Sequence, residues 1–232
     1  MEELKQLEEF LKNASVEDGL KKVAGMYPGK VKFSSSLGQE DQVLTDMISR
    51  HSIDITIFTL DTGRLFNETY ELIEKTEACY KKKIQIYFPR AVAVEEMVND
   101  KGINLFYNSV EERKLCCNIR KVEPLNRALT GTSVWITGLR SSQTNIRQEL
   151  PLIEWLPEKN LLKYNPLLNW SYDEVMNYIH SNSVPYNPLH DKGFVSIGCL
   201  PCTRAIEPGE DPRAGRWWWE TSQKECGLHI NK

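Results

Sequence analysis

Between Val31 and Gly138 the sequence alternates short runs of β-branched and aromatic residues with longer amphipathic segments. The strand patterns are VKFSSS (31–36), DITIFTL (54–60), KIQIYF (83–88) and SVWITG (133–138). Helical patterns cover 40–51 and 65–82, and the stretches around VEEMVND and ERKLCCNIRKVEPLNRAL. This alternation predicts an α/β fold with a mostly parallel, twisted sheet and helices on both faces. Such sheets bind ligands beyond the carboxyl ends of their strands, where the strand order reverses.

The regions flanking this core are patterned differently. An acidic amphipathic helix, MEELKQLEEFLKN, comes first, and Ser15 resembles the start of a capping box for a second helix that ends near Met26. Beyond residue 150 the pattern loosens, with one predicted helix in SYDEVMNYIHSN and a segment rich in Pro, Gly and Cys over 185–216. We therefore predict a single domain over 1–232, with an irregular C-terminal third and a mobile tail at 217–232.

Charge and hydropathy exclude several classes of partner. The formal net charge is -3, whereas broad binding to nucleic acid or to anionic membranes usually requires a basic excess. No apolar run approaches the roughly 20 residues that span a bilayer. The N-terminal helix has none of the features of a signal peptide. We therefore expect a cytoplasmic protein that binds neither nucleic acid nor membrane.

The six cysteines carry the strongest local signal. In a reducing compartment they are better explained as metal ligands or reactive thiols than as disulfides. The adjacent pair Cys116 and Cys117, together with Cys199 and Cys202 in a Cys-x-x-Cys spacing, suits an iron–sulfur cluster or a zinc ion. Adjacent cysteines point in divergent directions, which favours the larger cluster over one zinc ion, and buried unliganded thiols are the third reading. Cys79, in a helical pattern, is predicted to lie in the core.

Two polar loops follow predicted strands. The first is Ser34-Ser35-Ser36-Leu37-Gly38-Gln39-Glu40-Asp41, whose small residues and following helix can present N–H groups to an oxyanion. The second is Leu60-Asp61-Thr62-Gly63-Arg64. A serine-capped turn and a type I turn are the plain structural alternatives. Since both loops lie at carboxyl ends of strands, we expect them to line one crevice.

Basic residues stand out against the acidic composition. Arg213 and Arg216 precede three tryptophans in DPRAGRWWWE, and paired arginines can bind phosphate or sulfate through two hydrogen bonds each. Further positive charge comes from Arg120, Lys121, Arg140 and Arg147. A solvated surface is the alternative for each of these side chains, and core packing is the alternative for the tryptophans.

Taken together, these stretches resemble the assimilatory sulfonucleotide reductases. The motifs are the Ser-Ser-Ser-x-Gly-x-x-Asp loop, LDTGRLFNETY, CCNIRKVEPLNRAL, GCLPCTR, GRWWWE and the terminal KECGLH, in the family's order. The resemblance implies the fold of the adenine nucleotide alpha hydrolases. The two cysteine pairs resemble those of family members that carry one 4Fe-4S cluster and act on adenosine 5'-phosphosulfate (APS). By that resemblance the cluster ligands are Cys116, Cys117, Cys199 and Cys202.

The resemblance also implies a mechanism. Cys226 on the tail would attack the sulfur of APS, expel AMP and become an S-sulfocysteine. Reduced thioredoxin or a similar dithiol protein would then release sulfite. Lys121 and His229 match the family's other catalytic positions. The substrate-binding positions implied are Ser34, Ser35, Ser36, Gly38, Asp41, Leu60, Asp61, Thr62, Gly63, Arg147, Arg213 and Arg216.

Three alternatives remain at this stage. The first is the same chemistry on the 3'-phosphorylated substrate, PAPS, or on both nucleotides. The second is a cluster-dependent tRNA thiolation enzyme of the same fold, although the serine-rich first loop and the net acidity count against it. The third is a zinc module without catalytic activity. We also expect the chain to form a homo-oligomer.

Overall fold

The structure is a computed structural model, and it describes residues 2–143 and 149–220. The helices are α1 (Glu2–Asn13), α2 (Val16–Met26), α3 (Gln39–Arg50), α4 (Asn67–Tyr80), α5 (Ala91–Lys101), α6 (Val110–Cys117), α7 (Glu123–Ala128) and α8 (Tyr172–Asn182). The strands are β1 (Val31–Ser34), β2 (Thr56–Leu60), β3 (Gln85–Tyr87), β4 (Val134–Ile136), β5 (Ile153–Leu156) and β6 (Leu161–Tyr164).

The six strands form one sheet in the order β3-β2-β1-β4-β6-β5. β1 is parallel to both β2 and β4, and β4 is parallel to β6, whereas β5 runs antiparallel to β6. The chain builds β1, β2 and β3 toward one edge and then places β4 on the other side of β1. The order therefore reverses between β1 and β4, where a ligand is expected. The predicted α/β fold with a mostly parallel sheet is confirmed.

The chain divides into two compact units. Unit 1 comprises Met1–Thr59, Leu72–Gln85 and Gly131–Asn187, and unit 2 comprises Leu60–Glu71, Ile86–Thr130 and Pro188–Lys232. The core of unit 1 is apolar, with Phe33, Ile57 and Ile136 in register on neighbouring strands and almost fully buried. Burial of that surface is the main driving force for forming the sheet.

A buried carboxylate also holds unit 1 together. Asp46 of α3 is fully buried and accepts hydrogen bonds from Arg50 at 2.7 Å, Tyr80 at 2.7 Å and Tyr178 at 2.8 Å. Since α3, α4 and α8 each contribute one of these groups, the carboxylate links three helices. A buried charge is tolerated only with such partners.

Unit 2 has a smaller apolar cluster and much irregular chain. Its buried members are Met97, Leu105, Phe106, Cys202 and Trp217. Residues 188–220 form short turns, 3₁₀ segments and one isolated bridge, as the irregular C-terminal third predicts. The single domain over 1–232 stays a prediction, and most of the predicted tail lies outside the described residues.

One strand pair was not predicted, and the prediction for Cys79 was wrong. The antiparallel pair β5 and β6 falls in PLIEWLPEKN and the residues after it, where no strand was predicted. Cys79 is exposed and does not lie in the core: it shares a helix face with the buried Leu72 and Thr76, but it is in the last turn of α4, which ends at Tyr80. Ser15 does cap α2, accepting a hydrogen bond from the Asp18 nitrogen as predicted.

Candidate functional site

The first polar loop lies between β1 and α3 and is held by one carboxylate. Oδ2 of Asp41 accepts hydrogen bonds from the backbone nitrogen and from the hydroxyl of Ser36, both at 2.6 Å. The hydroxyl of Ser35 accepts a hydrogen bond from the backbone nitrogen of Leu37. Gly38 is the N-cap of α3 and has no side chain to accept a hydrogen bond from the first turn. The N-terminal end of α3 therefore keeps N–H groups that an anion can use.

Ser34 is tied to the neighbouring strand. Its hydroxyl accepts the indole N–H of Trp135 at 2.8 Å and donates toward the carbonyl of Ile136 at 3.4 Å. The hydroxyls of Ser34 and Ser36 thus hold the loop in shape in this structure, and their binding of substrate stays a prediction. Trp135 was not singled out from the sequence, because a tryptophan inside a strand looks like an ordinary core residue.

The loop after β4 approaches the first loop closely at Gly138. A Cβ atom on Gly138 would overlap Oδ1 of Asp41 and would lie 3.2 Å from Cγ of the same residue. Only glycine fits this contact. The two loops at the carboxyl ends of β1 and β4, where the strand order reverses, are therefore packed directly against each other.

Arg140 joins the same two loops through an ion pair. Its Nε donates to Oε1 of Glu40 at 2.8 Å, and the side chains of the pair are 7 % and 15 % exposed. Gln143 donates to the same carboxylate oxygen at 2.9 Å. The guanidinium also contacts Ser142 and lies over the ring of Tyr172. The guanidinium of Arg140 therefore bonds to other protein groups and holds the loop after β4.

The second polar loop belongs to unit 2. Oδ1 of Asp61 accepts the nitrogen of Gly63 at 2.7 Å and the hydroxyl of Tyr70 at 3.0 Å. Burial and the hydrogen bond to Asp61 raise the pKa of Tyr70 to about 12. The carbonyl of Thr62 accepts a hydrogen bond from Arg120. The two polar loops fall in different units, and the crevice that they were expected to share stays a prediction.

The four cysteines of the two pairs all lie in unit 2, and three of them border one apolar cluster. Cys202 is buried in that cluster, and Cys116 and Cys199 pack against it. Sγ of Cys199 lies 3.2 Å from the hydroxyl of Thr62. Burial and then the charges of Cys199 and Cys117 raise the pKa of Cys202 to about 12, although Lys121 acts in the opposite direction. Burial also raises the pKa of Cys116, against the effect of Arg120 and Lys121.

Within residues 2–143 and 149–220, no three His, Cys, Asp or Glu side chains are arranged to hold a single metal ion.

An unusual helical turn follows the adjacent cysteines. α6 ends at Cys117 and continues into a π-helix over Asn118–Val122, which carries Arg120 and Lys121. Single π turns inside α-helices are rare and are frequently found at functional sites. The sequence pattern predicts only an ordinary helix there.

Arg216 is buried without a full set of partners. It is 6 % exposed, lies against the backbone of Gly198 and donates to the Ile197 carbonyl at 3.2 Å. Its Nε has no hydrogen-bond partner among the described residues. No described carboxylate forms an ion pair with it, and a buried cation of this kind favours an anionic ligand. Arg213 is only half-buried in the same turn.

One ion pair in unit 2 was not predicted. Nε and Nη2 of Arg113 donate to the two carboxylate oxygens of Glu220 at 2.7 and 3.0 Å. Burial would lower the pKa of Arg113, but Glu220 and then Cys117 raise it. Arg113 stands four residues before Cys117 on α6, a spacing that places both on one helix face. The spacing of Arg113 from Cys117 is the sequence signal that could have identified Arg113 as a residue near the cysteines.

Arg147, Cys226 and His229 lie outside the described residues, so their predicted roles stay predictions. Among the described helices, none is long and apolar enough to cross a membrane.

Comparison with known proteins identifies the family. Residues 30–205 match the model of the phosphoadenosine phosphosulfate reductase domain. The chain is 54 % identical over 200 residues to the adenosine 5'-phosphosulfate reductase of Allochromatium vinosum, covering 86 % of this chain and 78 % of that protein. It is 48 % identical over 229 residues to the enzyme of that name from Sinorhizobium fredii strain NGR234, covering 98 % and 91 %.

Solved structures agree with this assignment. The phosphoadenylyl-sulfate reductase of Candida auris, in its phosphate complex, has a TM-score of 0.76 and 32 % identity, covering 89 % of this chain and 97 % of that one. The FMN adenylyltransferase of Candida glabrata, with FAD and pyrophosphate, has a TM-score of 0.55 at 16 % identity, covering 97 % and 83 %, and shares the fold alone. The fold is the adenine nucleotide alpha hydrolase type, and the resemblance drawn from the motifs is confirmed. The chain belongs to the phosphoadenosine phosphosulfate reductase domain family.

Proposed function

We propose that the protein reduces adenosine 5'-phosphosulfate to sulfite and AMP in sulfate assimilation. The observation that carries the proposal is the identity of 54 % and 48 % to proteins named for this reaction, over most of both chains. The reversal of strand order between β1 and β4 supports a nucleotide site in unit 1, since ligands of such sheets bind there.

The reaction begins with the thiolate of Cys226. It attacks the sulfur of the substrate, so that a sulfur–sulfur bond forms, the bond from sulfur to the phosphate oxygen breaks, and AMP leaves with that electron pair. A reduced dithiol protein, thioredoxin or a similar one, then attacks the S-sulfocysteine. The cysteine is regenerated, the dithiol is oxidised to a disulfide, and sulfite leaves with the electron pair of the sulfur–sulfur bond.

Positive side chains bind the phosphosulfate and stabilise the charge that develops on the phosphate. We assign this role to Lys121, Arg147, Arg213 and Arg216. Arg216 has the best support, because its buried guanidinium keeps a nitrogen without a partner among the described residues. The same positive charge would lower the pKa of the Cys226 thiol. His229 would orient the substrate or the tail.

We further propose that Cys116, Cys117, Cys199 and Cys202 hold one 4Fe-4S cluster. Four thiol donors are the ligand set of such a cluster. Trp217, buried in the same apolar cluster as Cys202, has an indole N–H with no acceptor among the described residues, as expected where a sulfur-rich group belongs. When bound, the cluster would supply a local charge and a structural link, and the chain's own residues carry the reaction.

PAPS reduction is the second candidate. It is favoured by the Candida auris relative, which is named for that substrate and is 32 % identical. The specificity constants for APS and PAPS, measured with the same reductant, distinguish the two candidates. A preference for PAPS would overturn the substrate that we propose.

The decisive experiment omits the reductant. Wild-type protein incubated with APS should gain the mass of one SO₃ group on the peptide that contains Cys226, with release of one AMP. Cys226→Ser should form no adduct, whereas Cys79→Ser should react like the wild type because Cys79 is exposed on α4. An adduct on Cys226→Ser would exclude the mechanism.

Two further expectations accompany the proposal. We place the enzyme in the cytoplasm, where thiols stay reduced, and we expect a homo-oligomer. Sedimentation of the purified protein over a range of concentrations tests the second expectation, and a monomer at every concentration would contradict it.

A further inference from the structure

The ion pair between Arg113 and Glu220 differs from an ordinary surface pair. Both side chains are buried, at 3 % and 4 % exposure, and both carboxylate oxygens of Glu220 are engaged. Arg204 and Glu210, in the same part of the chain, make a similar two-bond pair that is 38 % and 33 % exposed. Exposed pairs contribute little to holding a chain, whereas breaking a buried pair is costly.

Arg113 ties the chain just before residue 221 to α6. Its guanidinium lies 4.6 Å from the ring of Trp217, and it interacts with Cys117, one turn further along α6. Trp217 has a φ of 41°, a left-handed conformation that a residue with a side chain rarely adopts. Such a conformation persists only where the surroundings enforce it. Trp217 and Glu220 are thus both fixed against one arginine.

The position of Glu220 limits where Cys226 can go. Cys226 is six positions beyond Glu220, and an extended chain spans about 3.3–3.6 Å per residue, so the thiol stays within about 20 Å of Glu220. If Glu220 were released, the next buried residue would be Trp217, nine residues away, and the limit would grow to about 30 Å. The volume open to the thiol would then increase about two- to fourfold, and its effective concentration at a fixed point would fall accordingly.

We propose that Arg113 and Glu220 are positioning residues, which anchor the base of the Cys226 segment and thereby set the rate at which that cysteine reaches the substrate. This inference rests on the proposed function, since it takes Cys226 as the nucleophile. It assigns neither residue a contact with the substrate. The binding of nucleotide should therefore not depend on the pair.

The test compares Glu220→Gln with Glu210→Gln, which weakens the similar but exposed pair. In single turnovers with APS and no reductant, Glu220→Gln should add the SO₃ mass to Cys226 about two to four times more slowly. Its affinity for AMP should equal that of the wild type. Glu210→Gln should match the wild type in both measurements.

Limited trypsin digestion gives a readout that is independent of activity. Cleavage after Arg216 requires a transient opening of 216–220 and should be faster in Glu220→Gln, in which Trp217 alone holds this stretch closed. Cleavage after Lys224, beyond the anchor, should be unchanged and serves as an internal control. Arg113→Ala combined with Glu220→Ala removes both charges, so no unpaired charge stays buried. If Glu220→Gln does not fold, this double variant should show the same slower adduct formation and faster cleavage after Arg216.

The outcomes separate cleanly. Adduct formation at the wild-type rate in the folded variants, or a loss of AMP affinity that accounts for the slower rate, would overturn the inference. A wild-type protein that forms no adduct on Cys226 would instead refute the proposed function.

Discussion

Gly138→Ala tests whether the contact between the loops after β1 and β4 shapes the nucleotide site. The new Cβ would overlap Oδ1 of Asp41 and lie 3.3 Å from the backbone nitrogen of that residue. The overlapping atom belongs to a carboxylate already fixed by two hydrogen bonds from Ser36. Either the backbone at residue 138 or the Asp41 side chain must therefore move.

The size of the effect follows from these two options. Overpacking of a buried contact costs about 1–3 kcal/mol. If the carboxylate turns away instead, it weakens two charge-assisted hydrogen bonds, each of which contributes about 1.5–3 kcal/mol. We expect the free energy of unfolding to fall by about 2–4 kcal/mol. Because the displaced loop precedes α3, we also expect AMP to bind about tenfold more weakly, or about 1.4 kcal/mol.

Urea unfolding followed by tryptophan fluorescence and calorimetric titration with AMP measure the two quantities. Gly25→Ala is the matched control: Gly25 lies inside α2, and a Cβ there would meet nothing within 4 Å. That change should stabilise the protein by about 0.5–1 kcal/mol and leave AMP binding unchanged. If Gly138→Ala lost less than about 0.5 kcal/mol and bound AMP normally, the packing argument would fail.

Three further predictions concern the rest of the fold. Asp46→Asn should lower the free energy of unfolding by about 1–3 kcal/mol in urea melts, because the amide group places a donor against the hydroxyl and guanidinium donors that Asp46 accepts; an unchanged midpoint would contradict this. Burial raises the pKa of Tyr164 above its ordinary value of about 10, so the stability from its neutral form is complete below about pH 10 and is lost as pH rises through the raised pKa. Tyr164→Phe should therefore lose stability less steeply than the wild type above that pH, and equal slopes would refute the assignment. Cys79 should react with iodoacetamide in the folded protein, and Cys79→Ser should change stability by less than about 0.5 kcal/mol; a protected Cys79 would contradict its exposure at the end of α4.

The regular part of the fold was predictable because the apolar residues of its strands and of most of its helices follow the patterns typical of each. β2 (TIFTL) is a continuous apolar or β-branched run, β1 (VKFS) alternates buried and half-buried residues, and the buried residues of α8, Val175 and Ile179, are four positions apart. β5 and β6 were missed for a physical reason. Trp155 is 47 % exposed on β5, whereas Lys163 is buried on β6 and pairs with Glu154. An apolar side chain is thus exposed and a charged one is buried, the reverse of what hydropathy predicts.

The residue types of the candidate site were predictable, but their partners were not. The serines of the first loop were identified as ligands, yet Ser34 and Ser36 are held by Trp135 and Asp41. Arg140 and Arg147 could not be ranked by spacing, and only the ion pair to Glu40 shows that Arg140 holds the loop. Tertiary contacts of this kind join residues that are about 100 positions apart in the chain, which local patterns do not encode.

The interleaving of the two units has a consequence for synthesis on the ribosome. β1 pairs with β2 early, but its other neighbour, β4, emerges only after an intervening stretch that belongs largely to unit 2. At about 5–20 residues per second, that delay is on the order of ten seconds. During it, the open edge of β1, with Val31 and Phe33, has no strand to cover it. A nascent chain of this kind should depend on chaperones that bind apolar segments until β4 has been made.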